Sequence, residues 1–155
     1  MSSAQTKEPT YYNSRFLHGV DEKRRVQIPA KWRPDKSGTE LTLMLWPQHQ
    51  AGICLRVLPP SQMAKMKADI DSLPNDNPKK GVLKRFLGSE SVQAPLDKAG
   101  RICLPETLAK TVGIETEKEC LLVGLLDRFE IWNPERYEKV SAVDTALLPE
   151  VFKEL

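Results

Sequence analysis

The stretch Asp97-Lys98-Ala99-Gly100-Arg101-Ile102-Cys103-Leu104-Pro105 has an echo 76 residues earlier, Asp21-Glu22-Lys23-Arg24-Arg25-Val26-Gln27-Ile28-Pro29. Both read apolar-Asp-x-x-x-Arg-apolar-x-apolar-Pro, with Val20 and Leu96 as the leading apolar residues. A repeated unit constrains architecture more than any composition does, because a module used twice must bury its apolar face against its own copy. At 155 residues the chain has room for one ordinary domain or two small ones. A 76-residue module is near the size at which a lone core is marginal, and two copies packed together remove that difficulty.

Each copy has a physical reading. Val20, Val26 and Ile28, and Leu96, Ile102 and Leu104, alternate with polar residues, which predicts short half-buried strands. The Asp between them starts a tight turn, because its carboxylate can accept backbone N–H groups a residue or two ahead. Gly100 falls where a positive φ costs least. The Arg four residues after each Asp is then within reach of that carboxylate or of solvent. One isolated Asp–Arg pair reads as a turn-stabilising ion pair. Two copies on the same strand pattern also fit paired loops that present guanidinium groups outward, and Arg is suited to bidentate phosphate or guanine contact.

The two segments resemble the MraZ family of bacterial transcription factors, within the wider AbrB/SpoVT group. The later strand Phe129-Glu130-Ile131-Trp132, its first-half counterpart Ile53 to Leu58, and Leu122-Val123-Gly124 fit the same pattern, so the resemblance covers roughly Phe16 to Tyr137. It implies an α+β fold. Two tandem pseudo-symmetric swapped-hairpin β units form one small barrel-like core, joined by an αα-hairpin and followed by a C-terminal helix. The implied divisions are a first SpoVT/AbrB-like unit (12–60), a helical connector (61–87), a second unit (88–133) and a helical tail (134–155), preceded by a tail (1–11) that reads as unstructured from its polar composition and is longer than the family leads one to expect.

It also implies a homo-oligomeric ring that binds direct repeats in double-stranded DNA upstream of a cell-division and cell-wall gene cluster, usually repressing it. On this chain Arg25 is the first DNA-contact candidate, then Arg101, with Arg24, Lys23, Lys98, Lys31 and Arg33 around them; Asp21, Asp97 and Gly100 shape the loops. Arg24 stands where the family usually has Gly, and a non-Gly residue at positive φ costs about 1–2 kcal/mol. Either the first loop has a different shape or Arg24 adds a phosphate contact that offsets the strain.

The net charge of +2 excludes a polybasic nucleic-acid coat. Its distribution is more telling: Lys23, Arg24, Arg25, Lys31, Arg33 and Lys36 outnumber Asp21, Glu22 and Asp35, while the C-terminal stretch leans acidic. Lys31 and Arg33 fit phosphate contact and a solvated face equally well. For Lys79, Lys80, Lys84 and Arg85 a solvated face is the better reading.

Further along, Pro29 to Arg33 predicts a single helical turn with Trp32 in the core. Pro105 to Gly113 predicts a helix of about two turns with Gly113 as its stop. Strands are expected over 41–46 and 53–58 with a loop at 47–52, and a hairpin turns at Leu126-Asp127. Ser61 reads as an N-cap. Met63, Met66, Ile70 and Leu73 recur at helical spacing as a packing face. Asn133 caps a last helix, and Leu147 to Leu155 reads as a further short amphipathic piece.

Cys54, Cys103 and Cys120 each lie in an apolar run and read as buried small hydrophobes. Their odd number, with no close-spaced pair and no signal peptide, suggests a reducing cytoplasm, and nucleoid association follows from the DNA reading. No run is apolar enough to span a membrane. His18 and His49, the only two histidines, belong to no nucleophile or metal motif, and there is no phosphate-binding Gly loop. The expectation is a binder that is not an enzyme, with no cofactor, metal or small-molecule substrate. The alternative is an antitoxin-like protein-interaction module in which the acidic C-terminal helix carries the function.

Overall fold

The computed structural model describes residues 7–9 and 11–155, with eight strands and four α-helices among them. The chain runs β1 (Arg15–Gly19), β2 (Arg25–Gln27), a 3-10 turn (Ala30–Trp32), β3 (Glu40–His49), β4 (Gly52–Leu58), α1 (Pro60–Asp71), α2 (Pro78–Ser89), β5 (Ser91–Pro95), β6 (Arg101–Cys103), α3 (Glu106–Thr111), β7 (Glu119–Gly124), β8 (Phe129–Trp132) and α4 (Pro134–Val151). A 3-10 turn, Phe152–Glu154, ends it.

Six strands form one antiparallel sheet in the order β1-β7-β8-β4-β3-β5, and β2 pairs with β6 as a separate two-stranded ribbon. The order maps onto itself when the halves are exchanged: β1 corresponds to β5, β3 to β7, β4 to β8 and β2 to β6. The first strand of each half pairs with the third strand of the other, β1 with β7 and β5 with β3. The halves are thus laced together, and neither closes its own sheet.

One core is shared by both halves. Leu41, Leu43, Leu45, Leu55, Val57, Leu122, Phe129 and Ile131 line the sheet's inner face, against Val26, Ile28, Ile102 and Leu104 from the ribbon. Trp32, fully buried as the pattern predicts, meets Tyr12 and Phe16 edge-on and Phe129 at a tilt, with centroids 4.9 to 5.9 Å away. Its Nε1 donates to Asn13 O at 3.2 Å, which removes the cost of burying the indole N–H.

The sheet's outer face is covered by helices. Met63, Met66 and Ile70 of α1 and Phe86 and Leu87 of α2 pack on Met44 and Leu58, so the methionine stripe is a half-buried packing face. Val140 and Tyr137 of α4 pack on Cys54 and Trp132. His49 joins α4 to the β3–β4 hairpin through Asp144, 2.8 Å from Nε2. Between the helical covers, the half-buried Arg56 donates two hydrogen bonds to one Glu130 oxygen, Oε2, at 2.7 and 3.1 Å. The other carboxylate oxygen of Glu130 accepts from Trp132 Nε1, at 2.9 Å. Arg56 also lies 3.9 Å from the Trp46 ring centroid. β5 is a sheet edge, where Pro95 costs no ladder bond.

Three local expectations need correction. The loop expected at 47–52 is mostly strand: β3 runs to His49 with a register shift after Trp46, because Pro47 lacks the N–H needed to keep an unbroken ladder. Ser61 is not an N-cap. The helix starts at Pro60, and Ser61 donates its N–H (3.0 Å) and its hydroxyl to the Glu8 carboxylate, whose charge suits a helix N-terminus. Leu147 to Leu155 is no separate piece, since α4 continues to Val151 with Pro149 in its last turns. The tail expected at 1–11 falls mostly outside the described residues; of those described, Lys7 exchanges hydrogen bonds with Asp35 and Glu8 caps α1. Among the described residues no helix is long and apolar enough to cross a membrane.

Candidate nucleic-acid interface

The two Asp-led loops have the same construction. Asp21 Oδ1 accepts the N–H of Lys23 (2.9 Å) and of Arg25 (2.8 Å), and Oδ2 accepts Arg25 Nε at 2.6 Å. Asp97 Oδ1 accepts from Ala99 (2.9 Å) and Arg101 (2.8 Å), and Oδ2 from Arg101 Nε at 3.0 Å. The backbone N–H four residues on is the main cause holding each carboxyl below its ordinary pKa, reinforced by the guanidinium. The ion pair is therefore a turn stabiliser, and it also aims an arginine. Each guanidinium is pinned through Nε, while its terminal amino groups have no hydrogen bond among the described residues. Side-chain exposures are 30% for Arg25 and 32% for Arg101. A pinned, half-exposed fork loses little rotamer freedom when it binds a planar acceptor pair.

Both forks stand on the β2–β6 ribbon. Its register pairs Arg25 with Cys103, Val26 with Ile102 and Gln27 with Arg101. Val26 and Ile102 are buried, so strand alternation turns Arg25, Gln27, Arg101 and Cys103 to the outer face. Lys23 and Lys98 are exposed on the loop tips. Bonds across the ribbon hold it as one plate: Gln27 Nε2 to Ala99 O (2.7 Å), Cys103 Sγ to Lys23 O (3.3 Å), Leu104 N to Arg24 O (2.8 Å) and Ile28 N to Gly100 O (2.9 Å). Burial holds for Cys54 and for Cys120, whose thiol pKa is pushed up to about 12, chiefly by desolvation. For Cys103 the expectation is corrected: it is exposed, because it alternates with the buried Ile102 and Leu104. Gln27 and Cys103 share this outward face and were not among the DNA-contact candidates singled out from the sequence. The available signal was their position two residues beyond each Arg.

Arg24 and Arg33 are pinned to backbone carbonyls instead of carboxylates. Arg24 has φ +60, against +80 at the equivalent Gly100, so the first loop keeps the shape of the second. Its Nε donates to Leu104 O at 3.0 Å. In the other half the equivalent carbonyl, Ile28 O, accepts from Arg33 Nε at 2.8 Å. A Cβ on Gly100 would lie 2.4 Å from Arg33 Nε. The residue equivalent to Arg33 is Ala109, which lines a groove together with Arg24. Each carbonyl that precedes the motif proline is thus met by one guanidinium, reached from the loop in one half and from the segment after the proline in the other. The first loop therefore keeps the shape of the second, and Arg24, like Arg25 and Arg101, is pinned through Nε alone, its terminal amino groups having no hydrogen bond among the described residues.

Lys31 is turned toward β1, with Nζ 5.4 Å from the Phe16 ring centroid and 3.4 Å from Ser14 Oγ. Of the connector cations, Lys80 Nζ closes the end of α1 on the carbonyls of Asp71 (3.1 Å) and Leu73 (3.0 Å), and Lys84 pairs with Asp71 at 3.1 Å.

A family model described as "MraZ protein, putative antitoxin-like" matches residues 87–149. Over longer stretches the chain is 33% identical to the transcriptional regulator MraZ of Lactiplantibacillus plantarum, covering 84% of this chain and 88% of that protein. It is 33% identical to the one of Pediococcus pentosaceus (80% and 82% covered) and 35% identical to the one of Rickettsia rickettsii (81% and 83% covered).

Proposed function

The chain belongs to the MraZ family, and on that premise we propose that it is a transcriptional regulator that binds double-stranded DNA through the outer face of the β2–β6 ribbon. The observation that carries this reading is the pair of Nε-pinned arginines, Arg25 and Arg101, whose free ends share one exposed plate. A two-stranded ribbon fits a major groove about 12 Å wide, and an arginine fork matches the O6 and N7 acceptors of guanine. Lys23 and Lys98 at the tips reach the flanking phosphates, and Arg24 and Arg33 hold the loops in shape through Nε while their terminal amino groups stay open to phosphate.

In this reading each half, 12–60 and 88–133, is a swapped-hairpin AbrB/SpoVT-like unit, and the strand exchange between β1–β7 and β5–β3 supports it. A nearly neutral protomer gains phosphate contacts by assembling, so the active form is a homo-oligomeric ring on direct repeats. It represses a cell-division and cell-wall gene cluster from the DNA upstream of its own gene, in the cytoplasm at the nucleoid.

The test is a mobility-shift titration on that upstream DNA at two salt concentrations, with wild type and Arg25→Ala. The expected result is a loss of specific affinity of roughly 5- to 150-fold, the worth of one bidentate arginine–guanine contact, with assembly unchanged in sedimentation. Equal affinity for wild type and variant refutes the role given to Arg25. A second reading, protein capture in the antitoxin manner, is favoured by exposed Leu147, Leu148, Val151 and Phe152 at the end of α4. It predicts a stoichiometric basic partner that is lost on truncation after Tyr137.

A further inference from the structure

The two strands of the ribbon match at their outward arginines but not at their other outward position, and the loop tips differ too, Glu22 and Lys23 standing where the second loop has Lys98 and Ala99. Arg25 and Arg101 are equivalent positions, and so are Gln27 and Cys103. Had all four outward residues matched, a half-turn of the ribbon would present the same strand surface, and each base-reading group would meet an inverted copy of its own target. The outward strand residues differ at this one pair only.

We infer that Gln27 gives the interface its direction: it sets base preference at one end of the ribbon and makes the recognised DNA unit non-palindromic. The inference rests on the DNA-binding reading above. Gln27 Nε2 donates to Ala99 O at 2.7 Å and approaches Gly100 O at 3.4 Å, so an acceptor on the opposite strand fixes which way the carboxamide points. The Oε1 atom is left with no hydrogen bond among the described residues. A fixed, free acceptor beside an arginine fork suits the exocyclic amines of the major groove, N6 of adenine or N4 of cytosine, and rejects the O6 and O4 acceptors of guanine and thymine. Cys103 cannot substitute at the other end. Its sulfur is a weak acceptor, and its thiol lies 3.3 Å from Lys23 O.

Selection of sites from a random duplex library, using the full chain, tests this with Gln27→Ala, Gln27→Cys and Cys103→Gln beside wild type. Wild type should return a unit without two-fold symmetry that prefers adenine or cytosine at one position. Gln27→Ala and Gln27→Cys should lose that preference by roughly 5- to 30-fold, the lower part of the range for a base-edge contact. Their salt slopes should stay at the wild-type value, because phosphate contacts are untouched. Cys103→Gln should shift the unit toward a palindrome. An unchanged motif in both Gln27 variants, or a palindromic wild-type motif, overturns the inference and leaves DNA binding standing. Failure of wild type to bind any duplex overturns both.

Discussion

Moving the bracing arginine of the second loop to the position it occupies in the first gives the most searching check on this architecture. Gly100→Arg alone places a side chain at φ +80, a cost of about 1–2 kcal/mol. It also drives a Cβ to 2.4 Å from Arg33 Nε, displacing the guanidinium that satisfies Ile28 O. Losing a hydrogen bond from a charged donor costs about 1.5–3 kcal/mol, so this variant should lose about 2.5–5 kcal/mol. Arg33→Ala alone removes the same bond and should lose about 1.5–3 kcal/mol. The double variant rebuilds the first loop's arrangement of Arg24 and Ala109 and should retain only the backbone cost of about 1–2 kcal/mol. The two substitutions should therefore be non-additive by at least about 2 kcal/mol, with the double variant more stable than Gly100→Arg. Urea denaturation at one fixed protomer concentration reads this directly, and the matching difference in Tm is roughly 4–8 °C for a chain of this size. If the two losses add, the guanidinium exchange is an accident of packing, and Arg24 needs another explanation.

Glu130→Ala leaves the Arg56 guanidinium without its carboxylate and Trp132 Nε1 without its acceptor, and should lower stability by about 3–5 kcal/mol in the same assay, whereas Arg56→Met with Glu130→Leu should recover the share due to the unpaired guanidinium but not that of the indole N–H. The carboxyls of Asp21 and Asp97 are lowered in the folded chain, so their stabilisation is complete above the ordinary carboxyl value of 3.8 and is lost as pH falls through the depressed folded values. The urea midpoint should accordingly drop as pH is taken from about 6 to about 3, and less steeply in the Asp21→Asn, Asp97→Asn double variant; equal slopes would show that the drop comes from other carboxyls.

The pattern of turns and strands was legible because each feature is written within a few residues. Asp21 and Asp97 bond amides two and four residues ahead, Gly100 and Gly113 take positive φ, and Asn133 caps α4. The 76-residue offset matched Trp32 to Leu108, both buried, and alternation placed Val26 and Ile102 inside. Features that depend on a partner far along the chain were less legible. Glu8 as the cap of α1 lies 53 residues from Ser61, and the bond from Arg24 to Leu104 spans 80. Cys103 was misjudged because an apolar run hides which residues of a short strand face outward until the opposite strand is known.

By itself, the sequence determined that one module is used twice, that each copy turns on an Asp and aims an Arg, and which apolar residues face inward. Tertiary structure alone decided that each half lends its first strand to the other, that β2 lies against β6, and that Arg25, Gln27, Arg101 and Cys103 share one plate. The reason is that turn chemistry and side-chain alternation are local and cost the same whichever strand becomes the neighbour. A duplicated pattern offers each strand two equivalent partners, and only the joint burial of both halves in one core selects between them.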